Sequence, residues 1–174
     1  FLSFLQNIAK LEEIALDGAW VRLSKHSVRL TDTDERLWGK MAPRLGGQDR
    51  FRPPRIRDMA DVLGAREGDV RRLLKLLGRM GKVDEVAHDH FFLRSTVAEM
   101  VEIMIDISAK AADGQFSAGQ FRDRVDNGRK VAIQILEFFD RHGVTLRCGD
   151  VRRINKHRLD LFRRAGDATA AEKS

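Results

Sequence analysis

The sequence predicts a mainly α-helical protein with small β-hairpins, built from tandem copies of one unit. A 13-residue pattern that opens with glycine occupies residues 18–30 and recurs at residues 81–93, 63 positions later. A third version begins at Gly143, another 62 positions along the chain. Each version follows an amphipathic helical stretch and alternates apolar with polar residues around a polar tip, which is typical of a hairpin. A period of about 60 residues favours tandem small domains over a solenoid.

The pattern of the middle unit, residues 31–94, predicts three helices before its hairpin. Asp32-Thr-Asp-Glu35 has the form of a capping box, and Gly46-Gly47 ends the first helix. Pro53-Pro54 introduces a second helix over about residues 55–63, and a third is predicted over residues 67–80. The apolar positions expected to face the core are Leu37, Met41, Leu45, Ile56, Met59, Ala60, Leu63, Val70, Leu73, Leu74 and Leu77.

The last unit, residues 95–162, repeats this order. A helix follows Ser95, a short one covers about residues 117–125, and a third runs over residues 127–142 with Asn127 as its N-cap. A hairpin with Gly149-Asp150 at its tip comes next. Residues 1–30 keep only the final helix and hairpin of a preceding unit, and residues 163–174 are predicted to form a flexible tail. Three helices and a hairpin make a winged helix, so the predicted fold class is a tandem array of winged-helix (helix-turn-helix) domains.

Bulk composition limits the class of protein. Apolar residues make up 43% of the 174 residues, which is enough for packed cores. No apolar run approaches 18 residues and no signal peptide is visible, so we expect no membrane association. The single cysteine, Cys148, fits a reducing compartment, and a cytoplasmic location is expected. Because the chain opens without Met inside an apolar helical pattern, we expect it to be a fragment of a longer protein.

Positive charge is concentrated in one segment. The net charge is +6, and residues 115–164 alone hold 12 Lys and Arg against 6 Asp and Glu. A local excess of this kind favours an anionic partner, most commonly nucleic acid. Free N–H groups at the start of the third helix suit a phosphate, and Gly128 lets a backbone approach closely. Any one of these cations alone could simply be a solvated surface residue. The candidate nucleic-acid-binding residues are Arg122, Asn127, Gly128, Arg129, Lys130, Arg147, Arg152 and Arg153.

Other constellations in the sequence carry less chemistry. His88-Asp89-His90 could offer two metal ligands, but no Cys or His cluster completes a site, and a solvated hairpin tip is the expected interpretation. The sequence has no Walker-A, HExxH or GxSxG motif, so neither an enzyme active site nor a cofactor is expected in this segment.

The run Phe121-Arg-Asp123, the stretch over residues 127–143, Thr145-Leu-Arg147 and Gly149-Asp150 resemble the end of the SelB family of bacterial selenocysteine-specific elongation factors. That resemblance implies an RNA-binding winged helix that recognises the SECIS hairpin, the mRNA element beside an in-frame UGA codon. It implies that Arg122, Gly128, Arg129, Lys130, Arg147 and either Arg152 or Arg153 contact the hairpin. It places GTP, Mg²⁺ and selenocysteinyl-tRNA binding in a preceding GTPase part, which would also meet the ribosome, and a monomer is expected.

Two alternative functions remain open from the residues themselves. A DNA-binding winged-helix transcriptional regulator would place the helix over residues 127–142 in the major groove and usually dimerise. Gln134 could then read a base, although Glu137 would face a negatively charged wall. A winged-helix scaffold that binds only protein is the second alternative, and the nearly neutral first two units could serve this way. Under the SelB resemblance, these units would instead act as spacer and adaptor between the ribosome-bound GTPase part and the mRNA hairpin.

Overall fold

The computed structural model describes residues 29–162 and, before them, the backbone of two strands, β1 (Ile14–Asp17) and β2 (Trp20–Leu23). The two strands pair antiparallel with Asp17 opposite Trp20. Ile14 therefore lies in a strand, and the prediction that the first unit's helix continues to Gly18 is wrong. Ile, Val and Trp favour extended pairing over a helix. The remainder of the first unit and residues 163–174 lie outside the described residues.

The middle unit has the predicted order of three helices and a hairpin. Its elements are α1 (Asp32–Leu45), α2 (Ile56–Leu63), α3 (Glu67–Arg79), β3 (Val83–Ala87) and β4 (His90–Leu93). The predicted apolar stripes face one core, in which Met41, Leu45 and Leu73 are fully buried. The capping box of α1 sits one residue earlier than predicted, because the Thr31 hydroxyl accepts from the backbone N–H of Asp34 while the Asp34 carboxylate accepts from that of Thr31. Gly64 ends α2 in the left-handed conformation, with a φ of 61°.

The last unit is also a winged helix, with one strand that the sequence did not reveal. Its elements are α4 (Arg94–Lys110), β5 (Gln115–Ser117), α5 (Ala118–Val125), α6 (Arg129–Arg141), β6 (Thr145–Cys148), β7 (Val151–Ile154) and a 3₁₀ helix (Lys156–Leu161). The strand β5 adds to the wing to make a three-stranded antiparallel sheet in the order β5-β7-β6. With three residues, β5 is too short for a periodic pattern to identify it. The predicted fold class of tandem winged helices is confirmed.

The hairpin β3–β4 belongs to the cores of both units. Val83 and Phe91 pack into the middle unit, whereas Val86 and Phe92 pack into the core of the last unit. All four side chains are nearly or fully buried. The helix α4 then follows β4 without a linker, since Leu93 ends the strand and Arg94 begins the helix. The two units are therefore joined through a shared hairpin as well as through the chain.

His90 corrects the predicted solvated tip at residues 88–90. It lies in β4 and is buried, and its Nε2 lies 3.0 Å from the carbonyl oxygen of Pro53. Burial lowers the pKa of His90 below its usual value, since a charged ring would lose its water. The turn is formed instead by His88, which is exposed, and Asp89, whose φ is 55°.

Candidate nucleic-acid interface

The wing of the last unit and the helices α5 and α6 enclose a cleft of about 500 Å³. Its lining includes Ile133 of α6, Ser117 and Gly149. Arginines enter from all three sides. They are Arg122 of α5, Arg129 of α6, and Arg147 and Arg152 of the wing. The carboxylate of Asp150 also lines the cleft, so four cations face one acidic group there.

The turn between α5 and α6 differs from the predicted cap. Gly128, not Asn127, is the N-cap of α6, and no side chain in the described part of the chain caps the N–H groups of the first turn. The predicted N-cap role of Asn127 is wrong because its amide is used elsewhere. Its carbonyl oxygen accepts from the Gly128 N–H at 2.7 Å, and its amino group donates to the carbonyl of Phe51 in the middle unit. A Cβ at Gly128 would meet nothing within 4 Å, so the approach to this helix end is open.

Arg129 and Lys130 begin α6 and are both exposed. Neither forms an ion pair with any residue that the structure describes, and the first turn of α6 contains no acidic residue. Arg129 lines the cleft, whereas Lys130 does not. The helix dipole and the uncapped N–H groups add to their positive potential at this point. An anion that enters beside Gly128 therefore meets two available cations and open backbone donors.

Among the residues that the structure describes, Arg122 and Arg147 form hydrogen bonds only with close neighbours in the sequence. Arg122 donates from Nε and Nη2 to the carboxylate of its neighbour Asp123, at 2.8 and 2.6 Å, on the surface of α5. Arg147 donates to the carbonyl oxygen of Gly149 at 3.0 Å, within the wing tip. An exposed ion pair contributes about 0–1 kcal/mol, and an ordinary hydrogen bond to a carbonyl about 0.5–1.5 kcal/mol. Both guanidinium groups can therefore exchange these contacts for a phosphate at little cost.

Arg152 and Arg153 lie on opposite faces of β7. Arg152 is buried and forms an ion pair with Asp140 of α6, with Nη2 2.9 Å from Oδ2. The hydroxyl of Thr145 donates to the same carboxylate at 2.5 Å. Arg153 is exposed on the other face of the sheet, opposite Leu146, and does not line the cleft. Of the two arginines, the structure therefore places Arg152, and not Arg153, at the cleft.

Of the eight candidate residues, the structure brings four to the cleft, namely Arg122, Arg129, Arg147 and Arg152. Gly128 precedes Arg129 in the chain. Gly128, Asn127, Lys130 and Arg153 do not line the cleft. The sequence analysis missed Asp140, which fixes Arg152, and Phe51, which holds Asn127. No local sequence motif identifies either residue, because the residue that each one contacts is distant in the sequence.

A second polar cluster lies at the tip of the middle hairpin. Glu85, His88 and Asp89 bring one ligand atom each within 4.8 Å of one another. Asp89, however, is already bound by Arg71, whose Nε and Nη2 donate to its carboxylate at 2.9 and 2.6 Å. Arg71 lowers the pKa of Asp89. Because the Arg71 guanidinium already binds both carboxylate oxygens of Asp89, the cluster is an ion-paired turn.

The fold and the cleft together define a tandem winged-helix protein with a cationic groove between wing and helices. Within the described residues, no helix is both long and apolar enough to cross a membrane. Residues 109–154 match the family model described as "Elongation factor SelB, winged helix". All the residues that line the cleft fall within this range.

Relatives extend the similarity over most of the chain. It is 29% identical over 149 residues to the selenocysteine-specific elongation factor of Escherichia coli, covering 86% of this chain and 23% of that protein. The factor of Haemophilus influenzae is 27% identical over 149 residues, covering 80% of this chain and 23% of that protein. The chain therefore spans about a quarter of the length of these relatives.

A solved structure completes the comparison. It is the mRNA-binding domain of elongation factor SelB from E. coli in complex with SECIS RNA, and it is 31% identical with a TM-score of 0.65. The match covers 73% of this chain and all of that domain. The chain belongs to the SelB family of selenocysteine-specific elongation factors.

Proposed function

We propose that this chain binds an mRNA hairpin of the SECIS type through the cleft of its last unit. The longer protein to which such a segment belongs would deliver selenocysteinyl-tRNA to the ribosome at a UGA codon. The observation that carries the proposal is the convergence of four arginines from α5, α6 and the wing on one cleft beside an uncapped helix start. The E. coli domain that this chain resembles is bound to SECIS RNA in its solved structure, which supports the same ligand here.

The geometry favours a looped RNA over a duplex. A-form RNA has a deep and narrow major groove that side chains cannot read, so specific recognition usually targets loops and unstacked bases. A cleft between a wing and a helix start can grip a bent backbone and one extruded base. The planar guanidinium of Arg129 or Arg147 suits both tasks, because it binds phosphate and stacks on base rings.

The outer face of α6 argues against the DNA-binding alternative. Gln134, the residue that could have read a base, accepts a hydrogen bond from Nη2 of Arg55 at 3.1 Å. At the end of the same helix, Arg141 donates to the carbonyl of Val86 at 3.2 Å. The middle unit therefore covers part of the face that would enter a major groove. The exposed Glu137 adds negative charge to what remains.

The test is a titration of the chain with a SECIS-like RNA hairpin and with duplex DNA of equal charge. We expect the hairpin to bind at least about tenfold more tightly, since a loop contact adds to the phosphate term that both ligands share. Equal affinity would mean that the cleft acts as a general polyanion site, and tighter DNA binding would favour the regulator.

A matched pair of variants locates the site. Arg129→Ala should weaken hairpin binding about tenfold while leaving the thermal midpoint unchanged, because Arg129 is exposed and forms no ion pair with described residues. Arg57→Ala removes the same charge from an exposed position on α2, away from the cleft, and should change affinity less than about twofold. Equal effects of the two substitutions would show that only total charge matters. A marked fall in thermal midpoint for Arg129→Ala would assign that residue a structural role.

A further inference from the structure

A segment of the middle unit lies against the turn that joins the two helices of the cleft. This segment, residues 50–55, is the second part of the connection between α1 and α2. It contacts the turn at Asn127, whose side-chain amino group donates to the carbonyl oxygen of Phe51. The carbonyl of the same amide accepts from Gly128 N–H at 2.7 Å. One side chain thus connects the middle unit to the residue that caps α6.

Two further contacts flank this one on the same two elements. Arg52 forms an ion pair with Asp126, the residue that ends α5 in the left-handed conformation with a φ of 44°. Arg55 donates to Gln134, about one turn and a half into α6. The segment therefore contacts the end of α5, the turn and the first half of α6 in succession.

The segment is itself fixed to the last unit. Arg50 donates from Nε and Nη2 to the two carboxylate oxygens of Glu99 on α4, both at 2.7 Å. The ring of Phe51 packs against the core of the last unit. The segment is thus held to α4 through Arg50 and to the α5–α6 turn through Asn127 and Asp126. Movement of the turn away from the segment therefore requires breaking the hydrogen bond and the ion pair that join them.

From this arrangement we propose that residues 50–55 position the RNA cleft, and that Asn127 is a positioning residue that need not touch RNA itself. This inference rests on the proposed function and extends it. Arg122 and Arg129 approach the cleft from the two helices that this turn joins. Preorganised cationic groups bind a ligand better than groups that must first be ordered, since ordering costs entropy at the moment of binding. The middle unit then contributes to RNA affinity without lining the cleft.

The test uses substitutions that leave net charge unchanged, so that attraction to a polyanion stays constant. Asn127→Ala removes both amide hydrogen bonds. It should weaken hairpin binding about fivefold, because the turn that they hold must then be ordered as the RNA binds. The double variant Arg52→Gln with Asp126→Asn removes one cation and one anion. It should weaken binding about twofold, because its ion pair is exposed. Asparagine tolerates the left-handed conformation at residue 126, so the backbone is preserved.

The matched control is a second exposed ion pair in the middle unit. Arg66 stands directly before α3 and Asp69 lies in its first turn, with Nε of Arg66 2.9 Å from Oδ2 of Asp69. Neither residue belongs to the α5–α6 turn or to the segment that contacts it. Arg66→Gln with Asp69→Asn should leave RNA affinity unchanged. If this control weakens binding as much as the Arg52 and Asp126 pair does, or if Asn127→Ala binds as well as wild type, the positioning role is refuted.

An RNA-free measurement separates positioning from direct contact. Amide hydrogen exchange of the free protein should be at least about threefold faster over residues 132–135, the first amides that are hydrogen-bonded within α6, in Asn127→Ala than in wild type, as expected when a restraint of this size is lost. A residue that only contacts RNA would leave this exchange unchanged, and that result would overturn the inference. If the wild-type protein does not bind the RNA hairpin more tightly than duplex DNA, the proposed function fails. The exchange rates would still decide whether the segment restrains the turn, so the two failures can be told apart.

Discussion

Replacing Arg152 tests whether the cleft rests on a buried ion pair. The side chain of Arg152 is only 5% exposed and that of Asp140 is 20% exposed. Asp140 accepts from Nε of Arg152 at 3.0 Å and from Nη2 at 2.9 Å. Arg152→Ala removes these donors and leaves the carboxylate with the hydroxyl of Thr145 as its remaining described side-chain donor.

The expected cost follows from burial. Removing one partner of a buried ion pair costs about 3–5 kcal/mol, because the other charge is left uncompensated. The partial exposure of Asp140 lets water solvate part of its charge, so we expect a loss of about 3 kcal/mol in the free energy of unfolding. For a chain of 174 residues that unfolds as one cooperative unit, that loss lowers the thermal midpoint by about 6–12 °C.

The measurement is urea unfolding followed by circular dichroism at 222 nm, with wild type, Arg152→Ala and Arg153→Ala compared. Arg153 is the adjacent residue on the exposed face of the sheet, so its variant should lie within about 0.5 kcal/mol of wild type. If Arg152→Ala is as stable as Arg153→Ala, the ion pair does not stabilise the wing, and a ligand-binding role for Arg152 would replace the structural one.

Three further outcomes are expected. Burial lowers the pKa of His90 in the folded state. The stability that the neutral ring contributes is therefore complete above the unfolded pKa of about 6.5 and is lost as the pH falls below that value. The unfolding free energy of wild type should drop more between pH 7.5 and 5.5 than that of His90→Gln. Hairpin binding should weaken roughly a hundredfold between about 50 and 200 mM salt if five phosphates are contacted, and a flat salt dependence would exclude the cleft as a phosphate site. Cys148 is exposed at the wing, so bound RNA should slow its alkylation by a maleimide, and unchanged alkylation would mean that RNA leaves the wing uncovered.

Helices and hairpins could be predicted because their signals are local. The stripe Val70, Leu73, Leu74 and Leu77 repeats with the helical period, and all four residues are buried. Glycines at the ends of helices and at hairpin tips mark the boundaries between these elements. The wing of the last unit was predicted with its turn at Gly149-Asp150, and the structure confirms it.

The remaining features depend on contacts between distant residues. Alternation along β7 shows that Arg152 and Arg153 face opposite ways, but only the packed sheet decides that Arg152 is the buried one. Asn127 resembles an N-cap in sequence, yet its partner Phe51 lies 76 residues away. The burial of His90 likewise depends on Pro53, 37 residues earlier, which no local pattern reveals.

The sharing of β3–β4 between two cores limits how the chain can be dissected. A truncation that starts at residue 95, the boundary that the repeat suggests, would delete Val86 and Phe92 from the interior of the last unit. Removing large apolar side chains from a packed interior costs several kcal/mol each. A minimal RNA-binding piece designed for crystallisation or NMR should therefore retain the preceding hairpin, and a shorter piece would report a defect of the cut rather than a property of the cleft.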